Sequence, residues 1–476
     1  VSITLHRDIL LRAGTVMAAI GGLVIAADLH TVAGAAVTPA ATASATVTVN
    51  LTGTARGTLA AGYAGLSYES NPSNGQGGVN SGKFDAVGNL PQLLRTLGPG
   101  VIRFGGNSVD RTYASATSAA LAGLVRLANA TGYTYVYSTN LAHYNAANTG
   151  GDAAAVNAAL GTRLKSFACG NEPDLYVNNA YRPSGYGSSQ YVTDANACIN
   201  NVRSRVPSMR ISGPDTAGPG WLSNYASAER GRTNLLATHH YPLSNCGGVN
   251  GTATGLIAAS KRSSEAGLIA SAAATASRNG MPLIMSEVNS AACSGIVGVS
   301  NTFVSALWAV DYELAGVENG ATGMYFHGAL DSSCTTYTPL CQVGTNTYAA
   351  QPLYYGLLFT HLLGNGPVLP TTVSSNSNVA AHTVRGADGR VRTLVENLSN
   401  VTLTSSVRAG NTSGSGSLLA LTASSLTATS GVHIQGSAVA TNGTFTPGTA
   451  TAVTCAGGSC GMTLQPYSAV ILTLPA

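Results

Sequence analysis

Two glutamates have the setting that chemistry requires. Glu172 stands in Cys169-Gly170-Asn171-Glu172-Pro173-Asp174, and Glu287 in Ser286-Glu287-Val288-Asn289. Each follows a short apolar run of the kind that forms a buried strand. The chain of 476 residues carries only 19 acidic side chains, so two carboxylates at strand ends stand out. A pair of carboxylates facing each other across a sugar can break a glycosidic bond. One donates a proton to the leaving oxygen, and the other, ionised, attacks the anomeric carbon or activates water. Burial and neighbouring groups set the two proton affinities apart. The Asn171 amide beside Glu172 suits a sugar hydroxyl, which makes Glu172 the acid/base and Glu287 the nucleophile. The competing reading of each glutamate is a helix cap or a partner for an arginine.

Such residues need a frame. From about Gly62 to Gly364, apolar runs alternate with Ala-rich helical stretches. The strands expected are Ala64–Tyr68, Val101–Phe104, Thr134–Ser138, Ser166–Cys169, Arg210–Gly213, Leu235–His239, Leu283–Met285 and Met324–Phe326. The helices expected are Ala86–Leu97, Ser115–Ala130, Ser188–Arg205, Ile257–Arg278 and Thr302–Gly316. This alternation predicts an α/β fold, a (β/α)8 TIM barrel over residues 62–364, with an open doubly wound sheet as the alternative. Active groups of such a barrel sit at the C-terminal ends of its strands. Glu172 and Glu287 then end the fourth and seventh strands, on opposite sides of the mouth.

After Gly364 the composition turns to Thr, Ser, Val and Gly. Short strands are expected at Val379–Val384, Arg392–Glu396, Thr402–Val407, Val432–Gln435 and Val470–Leu474. Residues 365–476 therefore read as a C-terminal antiparallel β-sandwich. The alternating segment Thr46–Thr54 is expected to join it, so that residues 46–61 belong to that sheet.

Composition narrows the function. Charged residues make up 9% of the chain, against about 25% in an average soluble protein. Hydrophobic residues make up 45%, enough for a core, which excludes a disordered chain. The net charge is +4, the only lysines are Lys83, Lys165 and Lys261, and no basic run occurs, which speaks against nucleic acid as a partner. Residues 1–45 read as a signal peptide and Ala-rich leader. Arg7 and Arg12 precede an apolar run from Ala13 to Ala27, followed by A-x-A sites at Ala33-Gly34-Ala35 and Ala43-Ser44-Ala45. An uncleaved anchor is the alternative; otherwise no membrane span is expected after signal removal, and the protein would be secreted or periplasmic.

Export favours disulfides. The 8 cysteines all follow position 168. Cys334 with Cys341 and Cys455 with Cys460 are close in sequence, while the pairing of Cys169, Cys198, Cys246 and Cys293 stays open. Metal binding competes, but no C-x-x-C or H-E-x-x-H pattern occurs, and neither a metal nor a cofactor is expected.

Further segments carry a resemblance. These are Arg103-Phe104-Gly105-Gly106-Asn107, Gly213-Pro214-Asp215, His239-His240-Tyr241-Pro242, Ser286-Glu287-Val288-Asn289-Ser290 and Tyr337-Thr338-Pro339-Leu340. Together with G-N-E-P, and in this order, they resemble the β-glucuronidase and heparanase family of retaining glycoside hydrolases, from about Thr46 to Ala476. The resemblance implies that Glu172 is the acid/base and Glu287 the nucleophile, and that Asn171 contacts the sugar 2-hydroxyl. It further implies that Tyr241 hydrogen-bonds the nucleophile, that Glu69 and Asn107 touch sugar hydroxyls, and that Tyr337 donates to a glucuronate carboxylate. Arg103 and His240 are expected to support the site; packing inside the barrel is the plainer role for Arg103, His239 and His240, and the surface for Tyr337. The chain departs from the family pattern at Ala291-Ala292-Cys293-Ser294-Gly295, where an aromatic and more glycine are usual.

Cleaving a long sulfated polymer needs basic patches along an extended cleft. Three lysines do not supply them, so the expected substrate is a glycan or small glucuronide bearing a terminal β-glucuronosyl residue. Two alternatives remain: a barrel glycosidase acting on neutral sugars, such as an arabinofuranosidase or endo-glycanase, and a non-catalytic carbohydrate-binding surface protein.

Overall fold

The computed structural model describes residues 42–72 and 77–475. Eight parallel strands close into a barrel in chain order: Ala64–Glu69, Val101–Gly105, Thr134–Thr139, Leu164–Cys169, Ile211–Thr216, Leu235–His240, Leu283–Val288 and Ala321–Gly328. Each is followed by a helix, and each lies within a few residues of the strand expected from sequence. The barrel interior is filled by a small separate core of Val101, Val136, Leu235, Ala237, Ile284 and Tyr325, as side chains alternating across the strands require.

Apart from the single turns Ser108–Arg111 and Ala253–Leu256, three helices were not legible. Ala146–Leu160 contains Gly150-Gly151, which weakens its helical propensity. It is held at its start by the Asn145 side chain, which accepts from the Asn148 N–H. Leu222–Ala228 is only two turns long. Pro352–His361 is buried along almost its whole length, so it has no polar stripe to give it a helical period.

The C-terminal region bears out the sandwich only in part. Its strands do not form two separate sheets; they belong to one 12-stranded sheet. All its pairings are antiparallel except that of Thr42–Val49 with Thr402–Ala409. The sheet curls back on itself. Thr42–Val49 lies near one end of the strand order and buries Ala43, Ala45, Val47 and Val49. These pack in one core with Val395, Val470 and Leu472 from strands toward the other end. Curling buries one face without a second sheet. Strands Gly366–Leu369, Thr371–Ser375, Gly414–Thr422, Thr451–Ala456 and Ser459–Leu464 were not expected, because small and hydroxyl residues blur their alternation.

The expected signal peptide lies outside the described residues. Strand Thr42–Val49 starts inside the expected leader, so the A-x-A site at Ala43-Ser44-Ala45 is part of the sheet. Among the described residues no helix is long and apolar enough to cross a membrane.

Four disulfides are formed: Cys169–Cys198, Cys246–Cys293, Cys334–Cys341 and Cys455–Cys460. The first ties the end of the fourth strand to helix Ser188–Arg205. The second ties the connections that follow the sixth and seventh strands, which also pair through Leu243–Ser244 and Ala291–Ala292.

Candidate active site

At the C-terminal ends of the barrel strands a cleft of ≈ 620 Å³ opens, lined among others by Glu69, Asn107, Glu172, Tyr241, Glu287 and Tyr337. Its size is ordinary for a small-molecule site, about 300–1,000 Å³. Beneath its floor lies Arg103, on the second strand and 0% exposed. Its guanidinium donates to Ser67 Oγ at 3.0 Å, to Glu287 Oε2 at 2.7 Å and to Asn171 Oδ1 at 2.8 Å. A planar fork with fixed donors suits this task. The two glycines after it make the room: a Cβ on Gly105 would strike the Arg103 guanidinium, and one on Gly106, at φ +69°, would strike the Glu69 carboxylate. Glu69 is held by the backbone N–H groups of Ser108 at 2.7 Å and Asn107 at 3.2 Å.

Glu287 accepts a second hydrogen bond from the Tyr241 hydroxyl at 2.7 Å. Burial would raise its pKa, but the charges of His327, His239 and Arg103 and the Tyr241 hydrogen bond outweigh burial and hold the carboxyl well below its ordinary range. Glu172 sits on a backbone at φ 47°, a strained setting for a residue other than glycine. Two contacts fix that turn. The Glu172 N–H donates to Asp215 O at 2.8 Å, and the Asn171 N–H donates to Asp110 Oδ2 at 3.1 Å. The Asn171 Nδ2 is buried and has no partner among the described residues, a donor left for another molecule.

His239 joins the two halves. Its Nδ1 lies 3.1 Å from Glu172 Oε1 and its Nε2 3.5 Å from Asp215 Oδ1. Burial lowers its pKa, but the Glu287 charge and the hydrogen bonds to Asp215 and Glu172 push it up to about 9. Arg103 Nη2 lies 3.2 Å from Nε2 and 3.9 Å from Asp215 Oδ1, so the Asp215 carboxylate sits against both cations. Asp215 also accepts from Ser286 Oγ. One oxygen or nitrogen from each of Glu172, His239 and Glu287 lies within 4.8 Å of the others. A cation is disfavoured at this trio, because the imidazole is protonated near neutral pH and the Arg103 charge already pairs with Glu287.

Glu69, Asn107, Glu172, Tyr241, Glu287 and Tyr337 line the cleft and Arg103 and Asn171 lie in the network beneath it, whereas His240, though it borders the cleft, has no hydrogen bond to that network. The histidine in the network is His239. Successive strand residues point to opposite faces, and His240 turns toward Glu265, 3.8 Å away, and the Tyr312 ring. Burial pushes the His240 pKa down to about 4, and its Nε2 has no hydrogen bond. Tyr337 packs against Tyr241 and His327, with ring centroids 6.1 and 5.8 Å apart. The Asn289 amide grips the carbonyls of His327 and Tyr337, at 2.7 and 2.8 Å.

Sequence reasoning missed Asp110, Ser67 and His327. Asp110 is nearly fully buried and also accepts from the N–H groups of Leu141 and Ala142 at 2.9 and 3.0 Å and from the Tyr176 hydroxyl at 2.8 Å. Its signal was present: a rare acid five residues after the end of a strand carrying Arg103. Ser67 and His327 carry no such signal.

No family model matches the chain. A β-glucuronidase of Neurospora crassa is 26% identical over 242 residues, 45% of this chain and 43% of that protein. The chain therefore aligns with less than half the length of this curated relative. A 4-O-α-L-rhamnosyl-β-D-glucuronidase from Fusarium oxysporum 12S has the same fold, with a TM-score of 0.76 and 20% identity over 90% of this chain and 100% of that one. An arabinofuranosidase from Xanthomonas axonopodis pv. citri follows with a TM-score of 0.68 and 15% identity over 91% of this chain and 100% of that one. Part of the sequence is thus similar to curated β-glucuronidases, and the fold is one shared by glycoside hydrolases of differing activity.

Proposed function

We propose that the chain is a secreted, retaining glycoside hydrolase that removes terminal β-glucuronosyl residues from glycans or small glucuronides. The observation that carries this reading is the close approach of Glu172 and Glu287, within 4.8 Å through their nearest contacts. Retaining glycosidases hold their carboxyls about 5–5.5 Å apart, whereas inverting enzymes leave about 6.5–9.5 Å for a water. Glu287, held ionised by Arg103 and Tyr241, attacks the anomeric carbon and forms a glycosyl ester. Glu172 gives its proton to the departing glycosidic oxygen. Water then loses a proton to Glu172 and attacks the same carbon, which frees Glu287. The unpartnered Asn171 Nδ2 donates to the sugar 2-hydroxyl, Glu69 and Asn107 take further hydroxyls, and Tyr337 donates to the glucuronate carboxylate.

The activities for which the Neurospora and Fusarium proteins are named support a β-glucuronoside as substrate. Four disulfides support export, because such bonds persist in oxidising compartments.

The test is a panel of aryl β-glycosides, with proton NMR of the first-formed anomer. The wild type should favour the glucuronide and release the β-anomer. Glu172→Ala and Glu287→Ala should each lose at least about 10²–10⁴ in rate, the range supplied by one acid–base group. Faster turnover of a neutral glycoside would favour the arabinofuranosidase or glycanase reading. A wild type as inert as both variants would favour a binding protein.

A further inference from the structure

The cleft is rich in carboxyl groups, and Glu287 among them is held ionised. Glu69, Glu172 and Glu287 line it. The basic groups nearest to them are Arg103 and His239, which lie beneath the floor and are committed to Glu287, Asn171, Glu172 and Asp215, and His327, which lines the cleft and is committed to Ser67 and Glu287. An acidic sugar entering such a cleft meets like charge, and Tyr337 carries none to offset it.

One cation remains. Arg111 is the only lysine or arginine among the residues lining the cleft. It ends the short helix Ser108–Arg111, and its backbone is fixed by an N–H bond to Asn107 O at 3.1 Å and by its buried neighbour Asp110. Its side chain is exposed and has no ion pair or hydrogen bond among the described residues. Other arginines of the barrel are occupied: Arg126 by Asp85, Arg182 by Asp194 and Arg262 by Asp311. An unpartnered guanidinium on a residue that lines an acidic cleft has the chemistry for a carboxylate, which it can grip with two parallel N–H bonds.

We propose that Arg111 is the anion-recognising side chain of this cleft, pairing with a carboxylate carried by the substrate and setting the preference for acidic over neutral glycosides. The inference rests on the glucuronidase reading. That carboxylate belongs either to the glucuronosyl residue itself or to the group attached to it, and the chemistry at Arg111 is the same.

The experiment compares wild type, Arg111→Gln and Arg111→Lys on three substrates: 4-nitrophenyl β-glucuronide, its methyl ester and 4-carboxyphenyl β-glucuronide. If Arg111 holds the sugar's own carboxylate, Arg111→Gln lowers the kcat/KM ratio of glucuronide to methyl ester by about five- to tenfold, the loss of one partly solvated charge-assisted hydrogen bond. If it holds a carboxylate on the neighbouring group, that ratio stays and the 4-carboxyphenyl substrate alone loses about as much. Arg111→Lys retains part of the effect in either case, and added salt shrinks the wild-type advantage. Melting temperatures confirm that all three proteins fold alike. Equal kinetics of wild type and Arg111→Gln on both acidic substrates would overturn the inference. A wild type that cleaves no glucuronide faster than a glucoside would instead defeat the glucuronidase reading itself.

Discussion

Replacing Arg103 should change both the stability of the fold and the protonation of Glu287, and two variants separate the causes. Arg103→Met keeps the bulk and removes the charge. It strips Glu287 of a 2.7 Å partner and leaves Asp215, almost fully buried, without its nearest guanidinium. Removing one member of a buried ion pair costs about 3–5 kcal/mol. At about 2.1 cal/mol/K per residue, 476 residues give about 1 kcal/mol/K, so the melting temperature should fall by about 3–5 °C. The sign with pH follows from the carboxyl. In the wild type Glu287 is held below its ordinary range, so its contribution to stability is present above pH ~4.3 and is lost only as pH falls through the lower folded value. Without Arg103, burial is opposed only by His327, His239 and Tyr241, and the folded pKa rises. The stability gap between wild type and Arg103→Met should therefore be widest near neutral pH and narrow as pH falls, by about 1.4 kcal/mol per pH unit below the variant's Glu287 pKa. The acid limb of kcat/KM on an aryl glucuronide should move upward over the same window. Arg103→Lys keeps the charge, but one ammonium cannot serve Ser67, Glu287 and Asn171 together. It should keep the wild-type acid limb and lose activity. Calorimetry from pH 4 to 8 and the pH–rate profile read both effects. An Arg103→Met protein with the wild-type melting temperature and acid limb would refute the reasoning.

Two further changes test residues outside the proposed reacting pair. Asp110→Asn turns one of its acceptor oxygens into a donor that faces either the Asn171 N–H and the Tyr176 hydroxyl or the Leu141 and Ala142 N–H groups. It should lower kcat by about 10–100-fold through the Asn171–Glu172 turn, with KM little changed, because a small displacement of reacting groups costs about 10²-fold; unchanged kcat would sink it. Glu265 is buried, accepts from Trp308 Nε1 at 3.0 Å and is pushed up to about 8 chiefly by burial. The folded protein thus holds a proton that the unfolded chain releases, and stability falls as pH rises from about 4.5 to about 8. Glu265→Gln keeps the Trp308 contact and can donate toward the unpaired His240 Nε2. It should be about 2–4 kcal/mol more stable than wild type at pH 8 and no different at pH 4; a pH-independent difference in melting temperature would exclude this account.

The barrel strands were legible because they are buried on both faces and read as unbroken apolar runs between turn residues. The floor of the site was legible for a different reason. Arg103, Glu172 and Glu287 are rare charged residues placed directly at strand ends, and a charge there has to be paired. Residues that act through side-chain direction were harder. His239 and His240 are adjacent, and only the pleat decides which of them enters the network. Ser67 and His327 are ordinary types, brought to Arg103 and Glu287 by barrel closure alone. The curl of the C-terminal sheet was hidden because alternation marks which face is buried but not what covers it.

That sheet also explains why the last two barrel helices have almost no polar face. Phe303–Glu318 is buried on nearly every residue. A barrel helix normally keeps a solvent face, but here the sheet and its loops occupy it. Phe303 and Val304 donate their N–H groups to Ala428 and Leu426, and His382 bridges Asp311 and Glu318 at 3.1 and 2.8 Å. Arg262 completes this second buried cluster, reaching Asp311 at 3.3 Å and Asn378 at 2.9 Å. Burial opposes charge on His382, but its two carboxylates win and push it up to about 10. A chain with 9% charged residues therefore keeps two dense ionic clusters in its interior, one under the cleft and one between the barrel and the sheet. Buried ion pairs gain little net stability over apolar packing. What the second cluster does supply is a fixed seat for the helix that directly follows the Glu287 strand, so the position of the proposed nucleophile is braced from both ends of its β–α unit.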